Sequence, residues 1–329
     1  MTRLLRWSGS TLSWHLIVSL GALLVMMTIS LALGSVALTP ARFLTALTMP
    51  DADPVAAAIV FNVRLPRVLL ACCAGALTAM AALLLAPHEQ GAAPDPGWSG
   101  MMPLGALGAV TALTVSPGSP WWSVMGALVG CGAGVALYAA TQRWRQRRII
   151  GFVVALVAPV CAFGLLIGEV RIATWVRWCL GSLEQRDWQA WNTAWPILLT
   201  GVLLVVAAEY RPSAHRWRRY VSATVATAAA TVAAGALGWI GSTAARRAQA
   251  SDGSPVRRIV LAGLWGALLV VGIDLAARGV TALLPSPGLI GELPLGALLI
   301  VISGAAYVHD RVRSRSHSCL KRPATGDML

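Results

Sequence analysis

Four residues, Arg64-Leu65-Pro66-Arg67, stand directly before an uncharged run at 68–86 that is about the length of a bilayer crossing. A guanidinium is costly to bury in hydrocarbon and well shaped to grip a carboxylate or phosphate. Two of them at the mouth of a span therefore point to something acidic. Pro66 between them suits a helix's first turn, where its missing N–H costs nothing. Farther along, Asp274 is the only acid inside an apolar run, and Arg278 follows at the i,i+4 spacing of an intrahelical ion pair. That spacing is read as a structural pair rather than a proton relay. A third basic cluster, Arg211, Arg216, Arg218 and Arg219, fills a short polar stretch between two apolar runs.

The residue types that would make the chain an enzyme are not arranged for it. There is no His-Glu-x-x-His, no pair of carboxylates at helical spacing within an apolar run, and no nucleophile–base pair. His15, His88, His215, His309 and His317 flank apolar runs or lie in loops, where solvated histidine is the default. Cys72, Cys73, Cys131 and Cys161 lie within apolar runs, Cys179 in a loop and Cys319 in the tail. Most are read as small packing residues, and neither a metal nor a cofactor is expected. No phosphate-binding loop of the Walker type is present, so ATP hydrolysis, if used, comes from another chain.

Composition says what must position these residues. Of 329 residues, 57% are hydrophobic and only 12% charged, with mean hydropathy +0.69. A soluble domain carries about a quarter charged residues, so this is an all-α, polytopic membrane protein. The net charge of +13 comes almost wholly from arginine, clustered in short loops between apolar runs. That is the topological use of basic residues rather than a nucleic-acid surface.

Arg3 and Arg6 precede a charge-free run at 16–41. Residues 35–37 resemble a signal-peptide cleavage site, but the run is long for a signal core and more spans follow, so a retained first helix is the reading. The arginines before it predict a cytoplasmic N-terminus. A polar link at 39–61 follows, outside, and the second span runs inward to residue 86. A short apolar piece at 103–115, a fourth span at 121–140 and a basic loop at 143–148 come next. The fifth span, 149–167, ends in a tryptophan-rich loop with Trp175, Trp178, Trp188, Trp191 and Trp195, the mark of an interface. Spans at 196–208, 220–240, 259–284 and 294–308 complete the set. The stretch 241–258 is too polar for an ordinary span. As a plain loop it would leave the basic tail outside, against the charge rule, whereas a short, protein-buried crossing near 242–250 restores the parity. This predicts about ten transmembrane helices, with nine as the alternative, in one domain over 1–310. A basic cytoplasmic tail, read as disordered, occupies 311–329.

Several stretches, in order along nearly the whole chain, resemble the membrane permease of iron–siderophore and cobalamin ABC importers, the FecCD type. They are Arg64-Leu65-Pro66-Arg67 with Gly75, Trp178-Cys179-Leu180-Gly181-Ser182-Leu183, and Gly235-Ala236-Leu237-Gly238-Trp239-Ile240-Gly241. Asp274-Leu275-Ala276-Ala277-Arg278, Glu292-Leu293-Pro294-Leu295-Gly296 and Gly304-Ala305 complete them. The resemblance implies a plasma-membrane, multi-pass transporter subunit with both termini cytoplasmic. Its partners would be a second permease subunit, an ATP-binding cassette ATPase and an extracellular or periplasmic substrate-binding protein. The translocation path would lie at the permease dimer interface, among membrane lipid and with no nucleic acid involved. It further implies that Arg64, Arg67 and Arg278 dock glutamates of the binding protein, and that the basic stretch holding Arg211, Arg216, Arg218 and Arg219 faces the ATPase.

The chain also departs from the family pattern. Between the sixth and seventh spans the family carries a longer segment that seats the permease in the ATPase, whereas here only residues 209–219 intervene. Ala245-Arg246 replaces a proline-histidine pair. The asparagine-proline-leucine-alanine stretch after the second helix is missing, although Pro96-Gly97-Trp98-Ser99-Gly100 remains. The alternative function is thus a degenerate, non-transporting subunit that docks a binding protein or assists assembly of a conventional permease.

Overall fold

The computed structural model describes residues 11–34, 36, 38–86, 93–116, 119–142, 144, 147–166, 172–184, 186–210, 216–251, 254–283, 293–299 and 301–302. Arg211, Glu292 and the tail at 311–329 lie outside them. Every regular element among the described residues is helical. Five helices are long and apolar enough to cross a membrane, and two shorter apolar ones accompany them.

Helix α1 (Thr11–Ala32) is followed by two short helices where the sequence suggested a polar link, α2 (Pro40–Thr48) and α3 (Pro54–Ala58). Local chemistry explains both. Each has proline in its first turn and a capping oxygen before it: Thr39 Oγ1 accepts from the Arg42 amide, and Asp53 Oδ1 from the Ala56 amide. A π-helical turn, Ile59–Arg64, then leads into α4 (Leu65–Leu85). The wider turn leaves Arg64 buried while Arg67 stays at the margin.

α4 is the axis of the molecule. Leu70, Ala74, Leu77 and Ala79 are fully buried on it. α12 (Pro255–Leu283) packs along it in the opposite direction, with Gly266 against Gly75 and Asp274 against Arg67. The backbones nearly touch: a Cβ on Gly75 would lie 2.2 Å from the Gly266 carbonyl oxygen, and one on Gly266 equally close to that of Gly75. Small residues at such crossings let membrane helices gain dispersion contacts that lipid cannot supply. α5 (Met101–Val115) and α6 (Trp121–Thr141) form a second closely packed pair, and α7 (Arg147–Leu166) lies against α5.

Three boundaries differ from the sequence reading. α9 (Trp188–Tyr210), reached through α8 (Ile172–Trp175) and a second π-helical turn (Val176–Gly181), starts well before Pro196. Asp187 Oδ1 accepts from the Ala190 amide at 3.0 Å and sets that start. Three of the expected loop tryptophans therefore stand on the helix. α10 (Arg216–Ala234) begins at the basic cluster and stops at Gly235, which has φ +79°. Residues 240–249 form α11 (Ile240–Gln249), with Ile240, Gly241, Ala244, Ala245 and Ala248 buried. α11 packs against α4 and α12 and is about 15 Å long, half a bilayer. α10 is rich in alanine and threonine and buried along most of its length, so neighbouring helices rather than lipid surround it.

Candidate functional site

At the end of the molecule where α4 begins and α12 finishes, four charged side chains converge on the C-terminus of α1. The last carbonyls of a helix have no intrahelical donors and carry the negative end of its dipole. Arg64 Nη1 donates to the carbonyl oxygens of Leu31 at 2.8 Å and Ala32 at 2.7 Å, and its Nη2 donates to that of Val36. Arg278 Nη1 donates to the carbonyls of Ser30 at 3.0 Å and Leu33 at 2.8 Å, and its Nη2 donates to the Ser30 hydroxyl. Two guanidiniums thus cap one helix end.

Asp274 ties this cap to α4. Its Oδ2 lies 2.9 Å from Arg278 Nη2, the i,i+4 contact that the spacing suggests. Its Oδ1 accepts from Arg67 Nη2 at 2.6 Å and Nε at 3.1 Å, across 207 residues of chain. Arg64 is 4% exposed, Arg278 7%, and the Arg67 side chain 12%. The three arginines do meet at one corner, but Arg64 and Arg278 are buried and engaged with α1, leaving Arg67 as the most accessible. Nearby, Trp188 Nε1 donates to the Phe61 carbonyl at 2.9 Å, placing the start of α9 at this same end. Arg42 and Asp53 pair across the α2–α3 turn at 2.6 Å. The hydrogen bond from Arg42 holds the Asp53 carboxyl below the usual carboxylate range, and the Ala56 amide adds to it.

A second convergence lies between glycine-rich loops. Asp95 Oδ1 accepts from the amides of Gly97 at 3.0 Å and Trp98 at 3.3 Å, and its Oδ2 from the Ser242 amide at 3.0 Å, where α11 begins. The Ala236 amide donates to the Trp178 carbonyl at 3.0 Å. A Cβ on Gly235 would lie 2.2 Å from the Arg177 carbonyl oxygen, so both its left-handed backbone and the close approach demand glycine. Trp239, in the same loop, is the only non-glycine with positive φ among the described residues, at 68°. The stretches around 96–100, 178–183 and 235–241, far apart in sequence, therefore interlock as one unit. Asp95 was missed as a member, although Asp-Pro-Gly is the signature of an aspartate-capped turn.

The remaining basic cluster stands at the start of α10. Arg216 and Arg218 are exposed, and Arg218 lies over the Trp217 ring at 5.9 Å. Cations at a helix N-terminus oppose its dipole, and the first turn carries no acid to offset them. Among the described residues no group of three or more histidine, cysteine or carboxylate side chains forms a metal site.

A helical bundle built on close glycine contacts, with Arg64 and Arg278 buried against a helix end and a carboxylate, is the build of a polytopic membrane protein. The FecCD transport family matches residues 22–211, more than half of the chain, and the chain belongs to it. It is 29% identical over 266 residues to the cobalamin import system permease protein BtuC of Halobacterium salinarum, covering 71% of this chain and 70% of that protein. It is 26% identical over 281 residues to the Fe(3+) dicitrate transport system permease protein FecD of Escherichia coli, covering 78% and 86%. A solved metal-chelate-type ABC transporter in an inward-facing conformation shares the fold with a TM-score of 0.70 at 19% identity, over 90% of this chain and 97% of that one. The protein is accordingly a transporter subunit rather than an enzyme, with ATP hydrolysis on a separate ATPase chain and a second permease as partner.

Proposed function

We propose that this protein is the membrane-spanning permease of a binding-protein-dependent ABC importer that takes up an iron–siderophore or related metal chelate. The translocation path forms where it meets its partner permease. The observation that carries this reading is the family match over residues 22–211, joined by relatives whose names specify import of ferric dicitrate and cobalamin. The protein sits in the plasma membrane with both termini in the cytoplasm, and the Arg64–Arg67–Arg278 corner faces outward. A substrate-binding protein docks over that corner, with Arg67 making the outermost contact and Arg64 and Arg278 supporting it from beneath. An exposed arginine steers an acidic partner and fixes its register at modest energy per pair.

Arg216, Arg218 and Arg219, together with Arg211, face the ATPase, where acidic groups would offset their unfavourable position at the start of α10. A second reading is favoured by one observation: only residues 211–215 separate α9 from α10, too few for a coupling helix of two turns. On that reading the chain docks a binding protein or assists assembly without transporting. Purification of the full chain from its native membrane decides between them. Recovery of a stoichiometric ATPase, lost in an Arg216→Glu, Arg218→Glu, Arg219→Glu variant, supports the permease. Recovery of a binding protein without any ATPase supports the second reading.

A further inference from the structure

Arg186 is a buried arginine with two donors that no acceptor meets among the described residues. It follows the second π-helical turn, two residues before α9, and is 9% exposed. Its Nε and Nη2 are buried and meet no hydrogen-bond acceptor among the described residues. These two nitrogens form one edge of the guanidinium, the edge that grips a carboxylate with two parallel N–H···O bonds. Its guanidinium carbon lies 5.8 Å from the Trp178 ring centroid, so the ring holds the group while that covered edge has no acceptor among the described residues.

Among the described residues, Arg177 and Asp187 act on this guanidinium in opposite directions. Burial, with Arg177 nearby, brings the Arg186 pKa down to about 9, against the opposite pull of Asp187. Asp187 is itself committed to the Ala190 amide at the start of α9. A buried cation with unsatisfied donors is costly, and ionisable groups kept inside membrane proteins commonly mark substrate pathways. The loop belongs to the same end of the molecule as Arg64 and Arg67, because Trp188 reaches the Phe61 carbonyl. Trp178 also receives the Ala236 amide, so Arg186 rests on the interlocked loops rather than on a loose surface segment.

We propose that the Nε–Nη2 edge of Arg186 is a carboxylate-binding site for the transported chelate, engaged in a state of the transport cycle that uncovers that edge. The inference rests on the importer reading and adds a substrate class: chelates that carry free carboxylates rather than uncharged ones. Arg186 positions the chelate by a two-point contact that lysine cannot reproduce.

The test uses the full chain, assembled with its partners, in nanodiscs of phosphatidylcholine alone. Equilibrium binding of radio-iron-labelled ferric dicitrate is compared with that of ferrichrome, an uncharged hydroxamate chelate, for wild type, Arg186→Lys and Arg186→Met. Ferric dicitrate affinity is expected to fall at least about tenfold in both variants, with ferrichrome binding unaffected. Without ligand, Arg186→Met should melt no lower than wild type, since it removes a buried charge with unsatisfied donors. Equal dicitrate affinity in all three proteins, or no dicitrate binding to wild type, overturns the proposal. So does a binding-protein affinity that drops while dicitrate affinity holds, which reassigns Arg186 to docking. Binding that appears only after phosphatidylglycerol is added reassigns it to lipid headgroups and overturns it equally. None of these results touches the importer reading, which fails separately if no ATPase accompanies the chain.

Discussion

Asp274 joins Arg67 on α4 to Arg278 on α12 and is itself 1% exposed, so the corner depends on it more than on any one arginine. Asp274→Asn keeps the shape and removes the charge. It should destabilise the protein by about 3–5 kcal/mol, read as a fall in melting temperature in detergent, whereas Arg67→Gln, at the margin, should cost less. Equal effects would mean that the ion pairs are incidental. Asp53 offers a pH test outside the membrane. Its carboxyl is held low by Arg42, so its contribution is fully present above the usual carboxylate pKa of about 4 and disappears as pH falls through the lower folded value. The melting difference between wild type and Asp53→Asn should be constant from neutral pH to about pH 5 and close only below about pH 4. Closure near neutrality would contradict the assignment. At this scale the sequence was partly legible. The Asp274–Arg278 spacing named a pair because both lie on one helix face. The Arg67 contact, 207 residues away, and the capping of α1 by Arg64 and Arg278 exist only once the helices have packed.

Helix identity was readable from apolar runs, but helix ends were not, because they depend on caps and neighbours. Tryptophans near 188–195 look like an interface loop, yet Asp187 nucleates α9 ahead of them. The glycines at 235 and 238 look like a helix end, and the turn comes at the first of them because Arg177 leaves no room for a side chain there. Packing of α4 against α12 makes the sharpest prediction. Gly75→Ala and Gly266→Ala each place a methyl group 2.2 Å from a carbonyl oxygen, so each should destabilise by about 1–3 kcal/mol through forced separation of the helices. Gly21→Ala and Gly279→Ala, where nothing lies within 4 Å, should leave the melting temperature unchanged. Similar losses at all four would show that these crossings are loose.

Across the whole molecule, the antiparallel packing of α4 and α12 fixes one end as the arginine corner and the other as the basic starts of α7, α10 and α12. Short α11 lets the chain return between α10 and α12, which is what the polar stretch at 241–258 obscured in the sequence. If the corner faces outward, a cysteine at the exposed position 49 should react with an impermeant thiol reagent added outside intact cells. One at the exposed position 144 should react only after the membrane is opened. The reverse pattern would invert the topology. The central claim, that this chain forms the permease of an ATP-driven importer, is tested most directly in proteoliposomes containing it with its ATPase and partner permease. With the binding protein and ferric chelate outside and ATP inside, chelate should accumulate, and omission of this chain should abolish the accumulation. Undiminished accumulation without it would contradict the account.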